Sequence, residues 1–194
     1  VSGVSVILPQ DIIADYLKPQ HLLIEGIDQQ EFYRSGKLPE GYYQFKVEVI
    51  EYRRNITISN TAQAGLWLML DEPPRIVFPL PNQKVVATNP QMLNFTWVPG
   101  GVSSPQSSLT TQYEFTLVEL TDKNVDPYVA ITTASNATKY VKTLDQTSLF
   151  YGPGEMQLIP GQRYAIRVRA YSTDGLDMFK NNGYSDVRVF SFGD

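Results

Sequence analysis

The heptad LIPGQRY at residues 158–164 constrains the fold of this chain more than any other stretch of its sequence. A Leu-x-Pro-Gly-x-x-Tyr segment before an alternating strand is the tyrosine-corner pattern of Greek-key sandwiches. There the Tyr ring packs in the core and its hydroxyl bonds a backbone group a few residues upstream. Leaving that group unsatisfied costs about 1–3 kcal/mol. The heptad therefore predicts a buried Tyr164 whose hydroxyl is bonded to the main chain beside the Pro160-Gly161 bend.

Strand-like segments recur through the second half of the chain at roughly the 8 to 12 residue spacing typical of a sandwich. Residues 113–118 and 164–170 alternate between apolar and polar side chains, which places Arg167 and Arg169 on the solvent face of their strand. We predict strands near Arg75–Phe78, Val85–Ala87, Met92–Trp97, Tyr113–Leu120, Tyr128–Thr133, Lys139–Val141, Tyr164–Tyr171 and Val187–Phe192.

Together with Trp97, predicted as a core residue, the heptad and the strand after it resemble the fibronectin type III family over residues 73–194. The resemblance implies a Greek-key β-sandwich in which Trp97, Pro160, Gly161 and Tyr164 are structural residues. The alternative is some other antiparallel β protein with a Pro-Gly turn. In either case the chain is expected to be all-β.

Residues 71–74, with the sequence DEPP, are the best candidate for a linker, because two prolines cannot continue a β-ladder. They follow the near-continuous apolar strand predicted at residues 64–70. We therefore expect two sandwich-like units, at residues 1–72 and 73–194.

The first of these units is expected to be a partial immunoglobulin-like unit or a small α+β unit with one short helix. Tyr43–Val49 alternates between apolar and polar side chains, as expected for a strand with one solvent-facing side. The segment LPEGYY at residues 38–43 is similar to the later heptad, with Tyr42 or Tyr43 in the position of the tyrosine-corner residue. Because the segment is short for a full sandwich, its missing strands are expected upstream or from a partner. Otherwise the unit is a cap on the second domain.

Three further elements are predicted near the start of the chain. Val4–Leu8 is predicted as a short strand, and Ile12–Leu17 as a helix that Asp11 caps and Pro19 ends. Leu22–Ile24 is a weak strand candidate. The first four residues, VSGV, lack the basic and apolar regions of a signal peptide, so either the protein is cytosolic or an upstream segment is missing.

Composition excludes several classes of function. The net charge of −4 argues against a nucleic-acid partner, because a phosphate backbone would be repelled on average. The absence of Cys excludes disulfides, thiolate metal sites and thiol nucleophiles. No run of 18 apolar residues predicts a membrane span.

Candidate catalytic and metal-binding residues are few. His21 is the only histidine, so it is predicted to be structural or exposed. Asp122, Asn124 and Asp126 alternate as calcium ligands can, but a hairpin turn is the favoured interpretation. A glycosidase would need paired carboxylates, and most of the candidates are expected on the solvent-facing sides of strands. The candidates are Glu48, Glu51, Glu114, Glu119 and Glu155. We predict no catalytic, metal or cofactor site.

The segment FKNNGYS at residues 179–185 has two interpretations. Asn-Gly is the preferred dipeptide of tight turns because both residues tolerate positive φ. Ordered loops also often carry function. Turn formation is favoured, and Phe179, Asn181, Asn182 and Tyr184 form the candidate interaction loop.

A second resemblance rests on six stretches of the chain: residues 36–45, 71–74, 94–99, 113–120, 160–165 and 179–185. Through these stretches the whole chain resembles the TANFOR domain of large exported Bacteroidota proteins. Gly100-Gly101 stands where an Arg is expected, and Ile166 where a Trp is expected. The resemblance implies an extracytoplasmic setting, in the periplasm, on the outer membrane surface or secreted, and no known catalysis.

These features together predict a non-catalytic structural or protein–protein interaction module of a larger exported protein. Its expected partners are other envelope or surface proteins or sister domains of the same chain. A carbohydrate-binding module is the alternative, because twelve tyrosines could supply a stacking platform for a glycan. An enzyme with a carboxylate-only site is the third hypothesis.

Overall fold

A computed structural model describes residue 15 and residues 18–36, 38–100, 110–173 and 178–193. The prediction of a mostly β chain is confirmed, with several antiparallel sheets and two short helices in the described residues. The chain divides into two compact units, the first ending at Leu68 and the second beginning at Met69. The strand predicted at residues 4–8 lies outside the described residues, as does the helix predicted at residues 12–17 apart from Asp15.

From Lys18 to Leu68, the described residues of the first unit form one α-helix and two small antiparallel sheets. After a 3-10 turn at Pro19–His21 come α1 (Gln29–Ser35), β1 (Gly41–Val47), β2 (Ile50–Glu51), β3 (Ile56–Thr57) and β4 (Ala62–Leu68). Strand β1 pairs with β4, and β2 pairs with β3. The weak strand candidate at residues 22–24 is wrong, because those residues form no strand.

Helix α1 has no counterpart among the sequence predictions, although local chemistry accounts for both of its ends. The Asp28 side chain accepts hydrogen bonds from the backbone N–H groups of Gln30 and Glu31 at the first turn. At the other end Gly36 takes a left-handed conformation (φ 67°), and its N–H bonds the Phe32 carbonyl. Phe32 is the one buried apolar side chain among the described residues of the first unit.

The second unit contains two sheets. Its strands are β5 (Arg75–Phe78), β6 (Gln83–Val85), β7 (Leu93–Val98), β8 (Thr111–Leu120), β9 (Lys139–Leu144), β10 (Ser148–Tyr151), β11 (Gln162–Ser172) and β12 (Arg188–Phe192). One sheet has the order β10-β7-β5, and the other has the order β6-β12-β11-β8-β9. All pairings are antiparallel except that of β6 with β12.

One hydrophobic cluster joins the two sheets of the second unit. Phe95 on β7 is fully buried, and its ring centroid lies 4.9 Å from that of Phe115 on β8 and 5.6 Å from that of Phe190 on β12. Trp97 is also buried, against Tyr113 and Phe115. Both sheets therefore contribute aromatic rings to the same core.

Tyr164 links this core to the bend before β11. Its side chain is 1% exposed and its ring stacks on Phe190. Its hydroxyl accepts a hydrogen bond of 2.7 Å from the backbone N–H of Ile159. Gly161, at φ 82°, makes the intervening turn and donates its N–H to the Phe192 carbonyl. The bend is therefore held both by a side chain and by the neighbouring strand.

Replacing Tyr164 by Phe is expected to lower the free energy of unfolding by about 1–3 kcal/mol, because the Ile159 N–H loses its partner while the ring is retained. Denaturant unfolding of the purified chain measures the change. Tyr128→Phe is the matched control, since Tyr128 is 60% exposed. Equal stability of the Tyr164 variant and the wild type would contradict the structural role of this bond.

The prediction of a strand at Tyr128–Thr133 is wrong, because these residues lie in helix α2 (Pro127–Thr133). Asp126 caps the helix by accepting the N–H groups of Tyr128 and Val129, and Pro127 occupies its first turn. The hairpin turn predicted around residues 122–126 is wrong for the same reason. Apolar residues of β8 and β11 cover Ile131; they are Val118, Leu120 and Ala165.

Two smaller differences concern the strands beside the core. Strand β6 is Gln83–Val85, so it shares only Val85 with the strand predicted at Val85–Ala87, and β10 was not predicted.

Asp71, which was predicted to be part of a linker, is buried within the second unit: its N–H donates to the Met178 carbonyl, and its carbonyl accepts the Lys180 N–H. Among the described residues, no helix has the length and apolar character needed to cross a membrane.

Candidate interaction surfaces

The segment at residues 180–183 is a single 3-10 turn with left-handed backbone. Asn181 (φ 50°), Asn182 (φ 51°) and Gly183 (φ 81°) all have positive φ, a conformation that Asn and Gly tolerate better than other residues. The Asn181 side-chain amide donates a hydrogen bond of 2.8 Å to the Tyr184 carbonyl. The turn chemistry favoured from the sequence is therefore present.

Close contacts hold this turn against β11. The backbone N–H of Ser185 donates to the Val168 carbonyl (2.8 Å), and the Ser185 hydroxyl accepts the Val168 N–H (3.0 Å). A Cβ atom added to Gly183 would lie 1.9 Å from the Ala170 carbonyl oxygen. Only glycine allows the backbone to approach so closely, so the turn sets where the Tyr184 ring lies.

The Tyr184 ring lies between two arginines on the outer face of the five-stranded sheet. The guanidinium carbon of Arg167 lies 4.1 Å from the Tyr184 ring centroid, and that of Arg169 lies 5.0 Å away. Tyr128 continues the stack beyond Arg167 at 6.0 Å, and Tyr171 continues it beyond Arg169 at 5.9 Å. We call these five side chains the Arg–Tyr ladder. Each contact is a cation–π interaction.

The two guanidinium groups differ in their hydrogen bonds. Arg169 donates its Nε–H to the Asn182 carbonyl at 3.1 Å. The Nε of Arg167 is buried without a hydrogen-bond partner among the described residues, and the side chain as a whole is partly exposed. Neither arginine forms an ion pair with a described carboxylate, although Glu114 lies opposite Arg169 in the β8–β11 register. Within the described part of the chain, the ladder therefore presents two positive charges that form no ion pair.

The structure divides the four residues of the predicted interaction loop. Asn181 and Asn182 are exposed, and Tyr184 is half-buried within the ladder. Phe179 instead packs against the core between the sheets. The stacking on Tyr184 could not be predicted from the sequence, because alternation places the two arginines outward but does not indicate which residues they contact.

A second candidate surface lies on the first unit, on the hairpin of β1 and β4. Pairing puts Phe45 opposite Ala64 and Val47 opposite Ala62, so these side chains share one face with Leu66. We call this the hairpin face. Phe45 is 37% exposed, Val47 65% and Leu66 50%. The predicted strand is present, but the described residues leave its apolar side exposed.

The opposite side of the same hairpin also carries aromatic rings. Tyr42 lies opposite Trp67, with ring centroids 5.3 Å apart and planes inclined at 53°, and both side chains are exposed. Tyr43, on the hairpin face, donates its hydroxyl hydrogen to the Pro39 carbonyl at 2.6 Å. Of the two corner candidates, Tyr43 is therefore the one that bonds the preceding turn.

A buried glutamine that the sequence analysis missed organises the loop after β10. Gln91 donates to the carbonyls of Gly152 and Met156, and it accepts the backbone N–H of Leu158 at 2.9 Å. A single polar residue between Pro90 and Met92 carries no periodic signal, and its partners lie more than sixty residues further along the chain. Its role is structural.

Among the candidate carboxylates, Glu155 has an identified electrostatic role. It accepts hydrogen bonds from Lys142 Nζ and the Tyr140 hydroxyl, both at 2.5 Å. The bond from Lys142 has the largest effect, and together with the bond from Tyr140 it holds the pKa of the Glu155 carboxyl below its usual value. A general acid at neutral pH needs a raised pKa, so this arrangement keeps Glu155 ionised as part of an ion pair.

Replacing Glu155 by Gln is expected to lower the free energy of unfolding by about 1–2 kcal/mol near pH 7 and by much less near pH 2. Because its folded-state pKa lies below the unfolded value of about 4.3, the ionised group stabilises the fold above that value. The stabilisation is lost as pH falls through the folded-state pKa. Denaturant unfolding at both pH values checks this, with Glu114→Gln as the control. A loss of equal size at both pH values would contradict it.

The remaining candidates do not assemble into a site within the described residues. His21 is exposed, and its Nδ1 lies 2.7 Å from the Asp15 carbonyl oxygen. The Asp122 side chain accepts the Asn124 N–H, and Asp126 caps α2. No group of three or more His, Cys, Asp or Glu in the described ranges is arranged to hold a metal ion.

No protein-family model matches the chain, and no curated protein matches it.

Proposed function

We propose that this chain is a non-catalytic protein–protein interaction module of a larger exported protein, acting at the cell envelope or cell surface. An outer edge of its hairpin receives a strand of another envelope or surface protein, or of a sister domain, and the same partner covers the hairpin face. The observation that carries this proposal is the exposure of Phe45, Val47 and Leu66 on a hairpin that pairs with no third described strand.

The energetics of a lone hairpin support such a partner. A two-stranded hairpin is marginally stable in water by itself. Both outer edges of β1 and β4 lack a described neighbour, so their outward backbone groups can pair with an added strand. Fully burying a Val, Leu or Phe side chain contributes about 1.5–3 kcal/mol. A partner strand paired at an outer edge would supply the backbone partners. Apolar residues beside that strand in the partner would cover the hairpin face, which the described residues of the first unit leave exposed.

The proposal includes a fold for the second unit, namely a Greek-key β-sandwich of the fibronectin type III kind. Support comes from the cluster that Phe95 shares with both sheets and from the hydroxyl of Tyr164 bonded to Ile159. It also includes membership of the TANFOR domain group, from which the extracytoplasmic setting follows.

Site-specific photocrosslinking tests the proposed contact. A photoreactive phenylalanine analogue at position 66 reports on the hairpin face, and the same analogue at position 63 is the matched control. Gln63 lies on the other side of the same strand, opposite Lys46. We expect position 66 to yield one discrete adduct on envelope preparations of the producing organism, and position 63 to yield none.

Because the proposed partner is a β-strand that contacts the hairpin, the adduct at position 66 must meet two conditions. Its partner should map to a β-strand, and Val47→Asp should abolish it while leaving the second unit folded by near-ultraviolet circular dichroism. Crosslinking at both positions to the same extent, or an adduct that survives Val47→Asp, would refute the proposal.

A carbohydrate-binding module remains the second candidate function. Its support is the exposed pair of Tyr42 and Trp67, but their planes are inclined at 53°, whereas a flat platform needs coplanar rings. Titration against a glycan panel separates the two functions: binding tighter than about millimolar that Trp67→Ala abolishes would favour the carbohydrate function.

A further inference from the structure

We propose that the Arg–Tyr ladder is a binding site for an extended acidic segment of a partner protein, with carboxylate side chains at alternate positions. The inference rests on the proposed function, because it names a partner chemistry for an interaction module. It concerns a different surface from the hairpin face, on the second unit. Arg167 and Arg169 receive the carboxylates, and the tyrosine rings of the ladder receive the chain between them.

The first argument is the preorganisation of Arg167. Its guanidinium lies between the rings of Tyr184 and Tyr128, so two aromatic faces limit its motion. Its Nε is buried, whereas the side chain as a whole is partly exposed, and no hydrogen bond or ion pair joins it to a described residue. A guanidinium held in this way presents two parallel N–H donors, the geometry that matches a carboxylate.

The second argument is spacing. Arg167 and Arg169 are two residues apart on β11 and point to the same side of the sheet, so their stems are separated by about 6.6–6.8 Å. An extended peptide has the same repeat between alternate side chains. Two carboxylates at positions i and i+2 of a strand-like segment can therefore meet both guanidinium groups at once.

The third argument separates a protein partner from an acidic polysaccharide. The chain carries a net charge of −4, so a long polyanion is repelled at a distance. Attraction must come from short-range contact at the two arginines, which favours a ligand with few, well-placed carboxylates. Tyr and Arg are also the residue types enriched where protein interfaces bind most strongly.

Calorimetric titration of the purified chain with short capped peptides at about 50 mM salt tests the proposal. The first probe is a five-residue peptide with Glu at its second and fourth positions and Ser elsewhere. The second has Glu at adjacent positions, which point to opposite sides of an extended chain. The third has Gln in place of both Glu, and a galacturonate trimer is the glycan probe.

We expect the alternating peptide to bind at least about tenfold more tightly than the adjacent and Gln peptides. Arg167→Gln should weaken this binding about tenfold or more, and Arg167→Lys should weaken it too, because lysine keeps the charge but loses the planar fork. The Arg167 Nε–H resonance should shift during the titration in the wild type.

Arg163→Gln is the matched control. Arg163 lies on the same strand and side as Arg167, but it bonds the Lys123 carbonyl outside the ladder. The control should bind within about twofold of the wild type. An equal loss in Arg163→Gln and Arg167→Gln would overturn the site, because binding would then reflect charge alone.

Two further results would also overturn the proposal. One is the absence of binding by the alternating peptide at millimolar concentration, and the other is tighter binding of the galacturonate trimer. Failure here leaves the proposed function standing if position 66 still crosslinks to a partner strand. If position 66 fails to crosslink but the alternating peptide binds, the protein–protein contact would lie on the second unit and not on the hairpin face.

Discussion

Replacing Phe95 by Ala is expected to lower the free energy of unfolding of the second unit by about 3–5 kcal/mol, the largest effect of any change considered. The ring is fully buried and touches aromatic residues of both sheets, including Tyr151 at 5.5 Å. Removal of the ring leaves a cavity between two sheets. Because hydrogen bonds between strands hold the backbone of each sheet in place, the surroundings can close this cavity only in part.

Denaturant unfolding of the purified variant measures this loss. Phe150→Ala is the matched control, since Phe150 lies on β10 next to the same core but is 60% exposed. We expect the control to cost less than about 1 kcal/mol. Similar losses in both variants would show that the core does not depend on the contact between the sheets at Phe95.

Replacing Gly183 by Ala is expected to cost about 3 kcal/mol. Two penalties combine: a left-handed conformation for a residue with a Cβ atom, and a contact of 1.9 Å between that atom and the Ala170 carbonyl oxygen. Because the obstacle is backbone of a central strand, the turn must move rather than the strand. Tyr184 would move with it, and the Arg–Tyr ladder would lose its central ring.

Gly154→Ala provides the comparison for this change. A Cβ atom at Gly154 meets nothing within 4 Å, and its φ is not in the left-handed range. Unfolding experiments should find the control within about 0.5 kcal/mol of the wild type, and near-ultraviolet circular dichroism should change only in the Gly183 variant. Wild-type stability of Gly183→Ala would mean that the turn is not held against β11.

The Arg–Tyr ladder illustrates which part of a site is local in the sequence. Alternation along residues 164–170 was enough to place Arg167 and Arg169 on the outer face, because successive side chains of any strand point to opposite sides. Their stacking depends on the pairing of Arg169 with Tyr184, which follows a left-handed turn at residues 181–183. No periodic pattern encodes that register.

Helix α2 is the opposite case, because the intrinsic strand preference of its residues led to the wrong prediction of a strand. Its seven residues, PYVAITT, are rich in types that favour strands. The capping carboxylate of Asp126 and Pro127 in the first turn were signals available in the sequence, but the apolar run outweighed them. Burial of Ile131 against β8 and β11 makes the helix the better solution.

The hairpin of the first unit has the alternation of a half-buried strand, yet the apolar side chains of Phe45 and Val47 are exposed in the described structure. Periodicity specifies which side chains share a face, since this follows from backbone geometry. It does not specify what covers that face, because the covering group is a matter of long-range contact.

Short-range chemistry along the chain was therefore sufficient for most strands of the second unit, for the outward arginines and for the bend between Ile159 and Tyr164, since each depends on neighbours within a few residues. Long-range packing settled the helix at residues 127–133, the hydrogen bonds of Gln91 and the stacking of Tyr184 between two guanidinium groups. The physical reason is range: propensity, alternation and turn chemistry act within one element, whereas burial and side-chain stacking depend on which elements fold next to one another.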